Sequence, residues 1–212
     1  MTLPQNKKRA RSDSEKEARR TAILGATRRK IDSDGFDKVT MNAIAHEAGV
    51  SKGTLYLYAQ SKEELFLALF VETMEEVVTR IEDTATEDTL AEVLTHAPAE
   101  VPLFLALLAR LFAVIEPNVS DEALFEEKRR MREMGLRVAN VIARLTGAPE
   151  EQARGASMVL MLTMQGAAQF DIATQRDPET VPDDLKQAFA VQAFTKSYSV
   201  AVRLILWGLT QP

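Results

Sequence analysis

The sequence predicts an all-α protein, with a small N-terminal three-helix domain holding a helix-turn-helix and a larger helical domain behind it. Three observations predict this. Apolar residues recur at three- and four-residue spacing along almost the whole chain, and no strict alternation stands out. Hydroxyl caps and glycine stops cut the chain into helical lengths, Thr40 and Ser61 opening segments and Gly35, Gly49 and Gly147 closing them. Charge is divided unevenly. Residues 1–62 carry 13 basic and 7 acidic side chains, a balance of +6, and residues 63–212 carry 13 and 24, a balance of −11. A basic end on an acidic body suits a chain that presents one end to phosphates, although solvated surfaces also produce such an imbalance by chance.

Residues 1–14 are polar and basic and read as disordered, so the first helix is expected from Glu15 to Ser33, with Ile23, Ala26, Thr27 and Ile31 on one face. Gly35 stops it and Phe36 follows as an apolar plug. Thr40 caps a short second helix, Met41 to Ala48, which Gly49 ends. Ser51 starts a third, and Ser61-Lys62-Glu63-Glu64 is a capping box opening a long fourth towards Ala85. Pro98 and Pro102 separate a short helix near Leu90 from an apolar one, Leu103 to Ile115. Further helices are expected from Asp121 to Leu145, from Pro149 to about Thr174, and from Asp184 to Leu209.

The 212 residues, 46% of them apolar, suffice for one sizeable core or two unequal ones. The lack of cysteine excludes disulfides, thiolate metal sites and cysteine nucleophiles. Met1 to Arg11 has no apolar stretch behind it, and Val101 to Ile115 is interrupted by Arg110 and too short for a bilayer, so a cytoplasmic chain without a membrane partner is expected. Two enzyme-like strings fail on context. Gly49-Val50-Ser51-Lys52-Gly53 spells a hydrolase elbow but follows a helix, where the elbow needs a strand. His46-Glu47 begins a zinc-protease pair, but Val50 stands at the second histidine position. No catalytic residue, metal ligand or cofactor is expected.

The informative stretch is Thr40 to Tyr58. Two short helices joined by a glycine turn can cross steeply only where small residues meet, and Ala45 and Ala48 supply them. Ile44, Val50 and Leu55 have the spacing to fill the shared core. What remains on the third helix is Ser51, Lys52, Gly53, Thr54, Tyr56 and Tyr58. Such hydroxyls, phenols and a cation reach phosphates and base edges in a major groove.

The string GVSKGTLYLYAQSKEELF resembles the signature of TetR-like (tetracycline-repressor-like) regulators, and the similarity runs from Arg19 to Phe70. It departs from the family at Ala59, where a phenylalanine is common, and at Lys30 and Ile31, where Leu-Phe is. Both departures thin the core of the small domain. The resemblance implies a DNA-binding domain over residues 15–62 and an effector-binding and dimerisation domain over 63–212. It implies that Thr40 meets a phosphate, that Ser51, Lys52, Gly53 and Thr54 lie at the groove end of the recognition helix, that Tyr56 and Tyr58 pack on the sugar-phosphate backbone, and that Lys62 pairs with a phosphate. Read from the residues alone, Tyr56 also fits a core aromatic and Lys52 a solvated cation. Lys7, Lys8, Arg9 and Arg11 fit either a minor-groove arm or a free tail.

In the larger domain, Phe104, Leu108, Phe112, Phe125, Met131, Met158, Met161, Met164 and Gln165 are the expected lining of a pocket, although each singly suits plain core. Methionine adapts to irregular ligands and one amide can orient them. Ala156, Ala167, Phe194, Tyr198, Val202 and Ile205 are expected to join two copies in a four-helix bundle. These expectations describe a homodimeric repressor that releases a palindromic double-stranded operator when a small, largely apolar effector binds. An architectural DNA-binding protein and a helical interaction protein are the alternatives.

Overall fold

The computed structural model describes residues 5–173, 178–190 and 194–210, and within them the chain is helical, with no strand. Helix α1, Gln5–Asp34, begins ten residues earlier than expected. Nothing between Gln5 and Gly25 breaks a helix, and Lys, Arg, Ala and Glu, which dominate there, are all good helix formers. Lys7, Lys8, Arg9 and Arg11 thus belong to a helix rather than to a free tail.

The next three helices follow the expected caps. Helix α2, Met41–Glu47, and α3, Lys52–Leu55, each start at a hydroxyl that accepts a backbone N–H of the first turn: Thr40 from Ala43 at 3.2 Å, and Ser51 from Thr54 at 3.0 Å. Helix α4, Lys62–Thr84, starts the same way, its cap Ser61 accepting from Glu64 at 3.1 Å. In the capping box the carboxylate of Glu64 reaches back one residue further than expected, to the amide of Gln60 at 2.7 Å.

Helix α4 is the axis of the molecule. Leu65, Phe66, Leu67, Leu69, Phe70, Val71, Met74, Val77, Val78 and Ile81 are all buried, which an amphipathic stripe would not allow. The helix has neighbours on several sides: α1, α7 (Asp121–Thr146), α5 (Leu90–Glu100) and α6 (Phe104–Arg110). One continuous core therefore runs from Ile23 on α1 to Val202 near the C-terminus.

Behind α4 the structure departs from the expected boundaries twice. Pro98 lies inside α5 rather than ending it, at the cost of one helical hydrogen bond in the last turn. The apolar segment expected from Leu103 to Ile115 is α6 followed by a π-helical turn, Leu111–Ile115, and a 3-10 turn, Glu116–Asn118. Leu103, which leads into α6, has φ 67°, a left-handed conformation that costs a side-chain-bearing residue free energy. Helix α6 is thus irregular at both ends. Helix α8, Glu150–Ala173, packs on α6, α7 and α10 (Phe194–Leu209). The expected last helix is seen as α9, Asp183–Ala190, and α10, Phe194–Leu209, and its continuity through 191–193 lies outside the described residues. Among the described residues no single helix is long and apolar enough to cross a membrane.

Candidate nucleic-acid interface and internal cavity

Helices α2 and α3 meet as the sequence requires. Ile44, Ala45 and Leu55 are buried where they cross, with Ala48 and Val50 half-buried beside them. Gly49 turns the chain at φ 67°, and the amide of Val50 bonds back to the carbonyl of Ala45 at 3.0 Å. The turn leaves Ser51, Lys52 and Gly53 exposed, with Thr54, Tyr56 and Tyr58 half-buried beside them. Ser51 and Thr54 share a hydroxyl–hydroxyl bond of 2.8 Å, which fixes the direction of both oxygens. A Cβ at Gly53 would meet nothing closer than the Ser51 hydroxyl at 3.9 Å, so the edge is flat there. The ammonium of Lys52 lies 5.8 Å from the Tyr56 ring centre and still faces solvent.

Lys62 is more occupied than expected. Its ammonium donates to the carbonyl of Phe36 at 3.4 Å and lies 5.9 Å from the Phe66 ring centre. It fastens the α1–α2 turn to α4. An ammonium carries three donors, so two remain for an anion. Thr40 is exposed at the start of α2. Ala59 is buried, and it borders a cleft of about 170 Å³ between α1, α4 and α7 that Ile23, Leu24 and Leu65 share with the charged Arg20, Glu64, Glu126 and Glu127, so the expected thinning of the core does not show as an apolar void there.

A second cavity of about 430 Å³ lies in the larger domain, walled by α4, α6, α7 and α8. From α6 and the π turn come Phe104, Leu108 and Phe112, from α7 Met131, and from α8 Met158, Met161, Met164 and Gln165. Phe125 does not take part. It precedes Lys128 by three residues, which puts it a turn beyond the rim, and it is exposed. Sequence reasoning missed the contribution of α4, where Phe70, Met74, Val77 and Ile81 form one wall and Phe70 stacks on Phe104 at 5.5 Å. It also missed Tyr198, whose ring closes the cavity from α10. Burial raises the pKa of the Tyr198 phenol, so the group is neutral.

Two family models match this chain, one described as bacterial regulatory proteins of the tetR family over residues 23–69, the other as the tetracyclin repressor-like C-terminal domain over residues 66–212. The chain belongs to the tetR family. It is accordingly a DNA-binding transcriptional regulator and not an enzyme, and the family in general binds DNA and small molecules. Curated relatives match this tetR-family chain over part of its length. The fatty acid metabolism regulator protein of Bacillus subtilis is 34% identical over 70 residues, 33% of this chain and 36% of that protein. The repressor KstR of Rhodococcus jostii is 29% identical over 117 residues, 52% of this chain and 55% of the relative. The aligned parts thus span from a third to about half of these relatives. Solved structures share the whole fold. A TetR regulator from Rhodococcus sp. RHA1 has TM-score 0.64 at 22% identity, covering 92% of this chain and 100% of that one. The Bacillus subtilis regulator FadR, in complex with stearoyl-CoA, has TM-score 0.56 at 16% identity, covering 89% and 98%.

The residues expected to join two copies fall in two classes in this tetR-family chain. Phe194, Tyr198 and Val202 are buried inside their own subunit, as are Ala156 and Ala167, because α10 lies against α5 and α8 of the same chain. Ile205 is half-buried. The near-heptad spacing is real, but the partner it serves is intramolecular. The apolar residues left exposed are Met158, Val159, Leu162 and Phe170 on α8, of which Met158 and Leu162 also line the cavity, and Val200, Leu204 and Trp207 on α10.

Proposed function

We propose that this regulator is a homodimeric repressor that leaves its operator when a small, largely apolar molecule enters the 430 Å³ cavity. The observation that carries the reading is the position of α6 between the two sites. On one side Phe104, Leu108 and Leu111 line the cavity. At its C-terminal end Arg110 places its guanidinium 4.2 Å from the ring centre of Phe36, which sits edge-on to Phe66 at 5.5 Å in the DNA-binding domain. A molecule that spreads the cavity walls displaces α6, and the displacement reaches the turn that holds α2 and α4 together. The irregular ends of α6 make such a shift cheap compared with breaking a continuous helix.

The walls support an apolar effector. They are mainly leucine, valine, phenylalanine and methionine, with four methionines besides Met74, and unbranched thioethers repack around ligands of varied shape. The stearoyl-CoA held by the Bacillus subtilis relative is one molecule with a long apolar part, and it supports the class rather than the compound. Pairing of two copies through Val159, Leu162 and Phe170 with Val200, Leu204 and Trp207 covers an apolar surface that a monomer leaves wet, and sets two recognition helices for a palindrome.

The test is a titration of operator binding with an apolar compound panel, in wild type and in Met161→Trp, which fills the cavity. The expected result is an operator affinity that falls with ligand in wild type and is unchanged by ligand in the variant. A panel without any effect on wild-type affinity favours an architectural DNA-binding protein instead.

A further inference from the structure

Three buried polar side-chain atoms among the described residues have no hydrogen-bond partner: the amide nitrogen and oxygen of Gln165 and the hydroxyl of Tyr198. All three belong to residues that wall the one 430 Å³ cavity. Gln165 is 8% exposed and Tyr198 1%. Buried polar groups are almost always paired, and a group left unpaired forfeits its hydration without return. Elsewhere the buried hydroxyls follow the rule. Thr27 donates to Ile23 and Thr73 to Phe70, each within its own helix. The exceptions are confined to the cavity wall.

Resting on the reading of this cavity as the effector site, we propose that the effector is a neutral, largely apolar molecule with one hydrogen-bonding oxygen, a ketone or hydroxyl, received by Gln165 and Tyr198. The amide offers two N–H donors and the phenol one, so a carbonyl oxygen can be met from both sides. The amide oxygen serves an alcohol as acceptor. A carboxylate at this end is disfavoured. Both partners are neutral, and the cations that line the cavity stand at its rim: Lys128 bonds Glu116 at 2.5 Å, Arg154 bonds Glu150 at 2.9 Å, and Arg132 and Arg154 are solvent-exposed. A carboxylate received only by these two neutral groups loses its hydration without a charge to replace it. The polar atoms each expose less than 1 Å², so the ligand reaches them as the adjacent methionines, Met161 and Met164, change rotamer.

The experiment displaces the neutral dye N-phenyl-1-naphthylamine from the full chain with three probes of one skeleton: phenylcyclohexane, 4-phenylcyclohexanone and 4-phenylcyclohexanecarboxylate. The ketone should displace dye at concentrations at least about tenfold lower than either of the others. Gln165→Leu and Tyr198→Phe should each bring the ketone close to the hydrocarbon, and uptake of the dye by both variants shows that the cavity is still formed. The carbonyl stretch of bound ketone should lie at lower wavenumber in wild type than in either variant. Equal displacement by all three probes, or preference for the carboxylate, overturns the proposal and leaves the cavity as an effector site. A wild-type chain that takes up no dye overturns the effector-site reading and the proposal with it.

Discussion

Ser120, the cap of α7, donates its hydroxyl to Glu64 at 2.8 Å and its backbone amide to the same oxygen at 3.3 Å. The other oxygen of Glu64 closes the first turn of α4 at Gln60. One carboxylate therefore ties the start of the helix that leaves the DNA-binding domain to the start of a helix that walls the cavity. Ser61 adds a second tie, donating to the carbonyl of Asn118 at 3.1 Å.

Removing either side of this tie should cost about 1 kcal/mol, since Ser120 also caps α7 and Glu64 also accepts from the amide of Gln60 at the start of α4. Because the hydroxyl–carboxylate bond needs both side chains, Glu64→Ala and Ser120→Ala should not add. A double-mutant cycle by urea denaturation is expected to show a coupling of about 1 kcal/mol. Additive losses would mean that the two helix starts are stabilised independently.

On the DNA face, Thr54→Ala should lose discrimination at particular base pairs by about 1–3 kcal/mol. Lys62→Ala is expected to weaken all sequences alike and to reduce the dependence of log affinity on log salt by about one. It should also lower the melting temperature, because the ammonium holds the carbonyl of Phe36. Fluorescence anisotropy across a salt series separates these effects. An unchanged salt slope in Lys62→Ala would remove this lysine from the DNA face.

The two faces of α10 predict opposite outcomes for the same substitution. Leu204 is 62% exposed, so Leu204→Glu should give a folded chain that no longer pairs, with an unshifted melting temperature by circular dichroism and half the mass in light scattering. Phe194, 3% exposed and stacked on Tyr198 at 5.0 Å, belongs to the subunit core. Phe194→Glu should unfold the chain, since a buried unpaired charge costs several kcal/mol. A Leu204→Glu chain that remains dimeric would place the interface elsewhere.

This contrast marks what the sequence could show. The caps at Thr40, Ser51 and Ser61 act locally, through hydroxyls three residues from the amides they bond, so α2, α3 and α4 were legible within a residue. The methionines of α8 were legible as a group with Phe104 and Phe112 because their helical spacing gathers them on one side. Phe194, Tyr198 and Val202 were misassigned because periodicity states which face is buried and not which chain buries it. Tyr198 also shows why the polar part of the cavity stayed hidden. A tyrosine at heptad spacing looks like packing, and only its missing partner sets it apart. Ser120 and Glu64 stand 56 residues apart, a distance over which no local rule reports.

Acid stability should reveal the half-buried carboxyls between α1, α4 and α7. Burial raises the pKa of Glu127 above its usual 4.5, with Arg130 and Arg20 offsetting part of the effect, and burial does the same to Glu72. A carboxyl whose folded value is raised favours the folded state only when protonated. Its contribution is present below the unfolded value and is lost as pH rises through the folded one. Glu127→Gln, neutral at every pH, should therefore melt higher than wild type at pH 7, with the gap closing as pH falls towards 4.5. A lower melting temperature at pH 7 would mean that the ion pair with Arg130, at 2.8 Å, outweighs the cost of burial.

Arg110 offers the sharpest test of coupling between cavity and DNA. It sits at the end of α6, donates to the carbonyl of Ala106 at 2.9 Å, and covers the Phe36 ring. Burial lowers the pKa of its guanidinium, but an arginine remains charged at working pH, so the contact persists across it. A ligand shifts a two-state equilibrium only by its differential affinity for the two states, typically about 1–3 kcal/mol, or roughly 5- to 150-fold in operator affinity. Arg110→Ala removes the contact through which α6 would deliver that difference, without touching the recognition helix or the cavity wall. Operator affinity without ligand and dye uptake by the cavity should both stay near wild type. The ligand-induced drop in operator affinity should shrink towards one-fold, and operator DNA should lose its reciprocal effect on ligand binding by the same factor. Four numbers decide the matter: operator affinity with and without ligand, and ligand affinity with and without operator. If Arg110→Ala retains the full drop, coupling runs through α4 and the Glu64–Ser120 tie, and Ser120→Ala becomes the variant that should lose it.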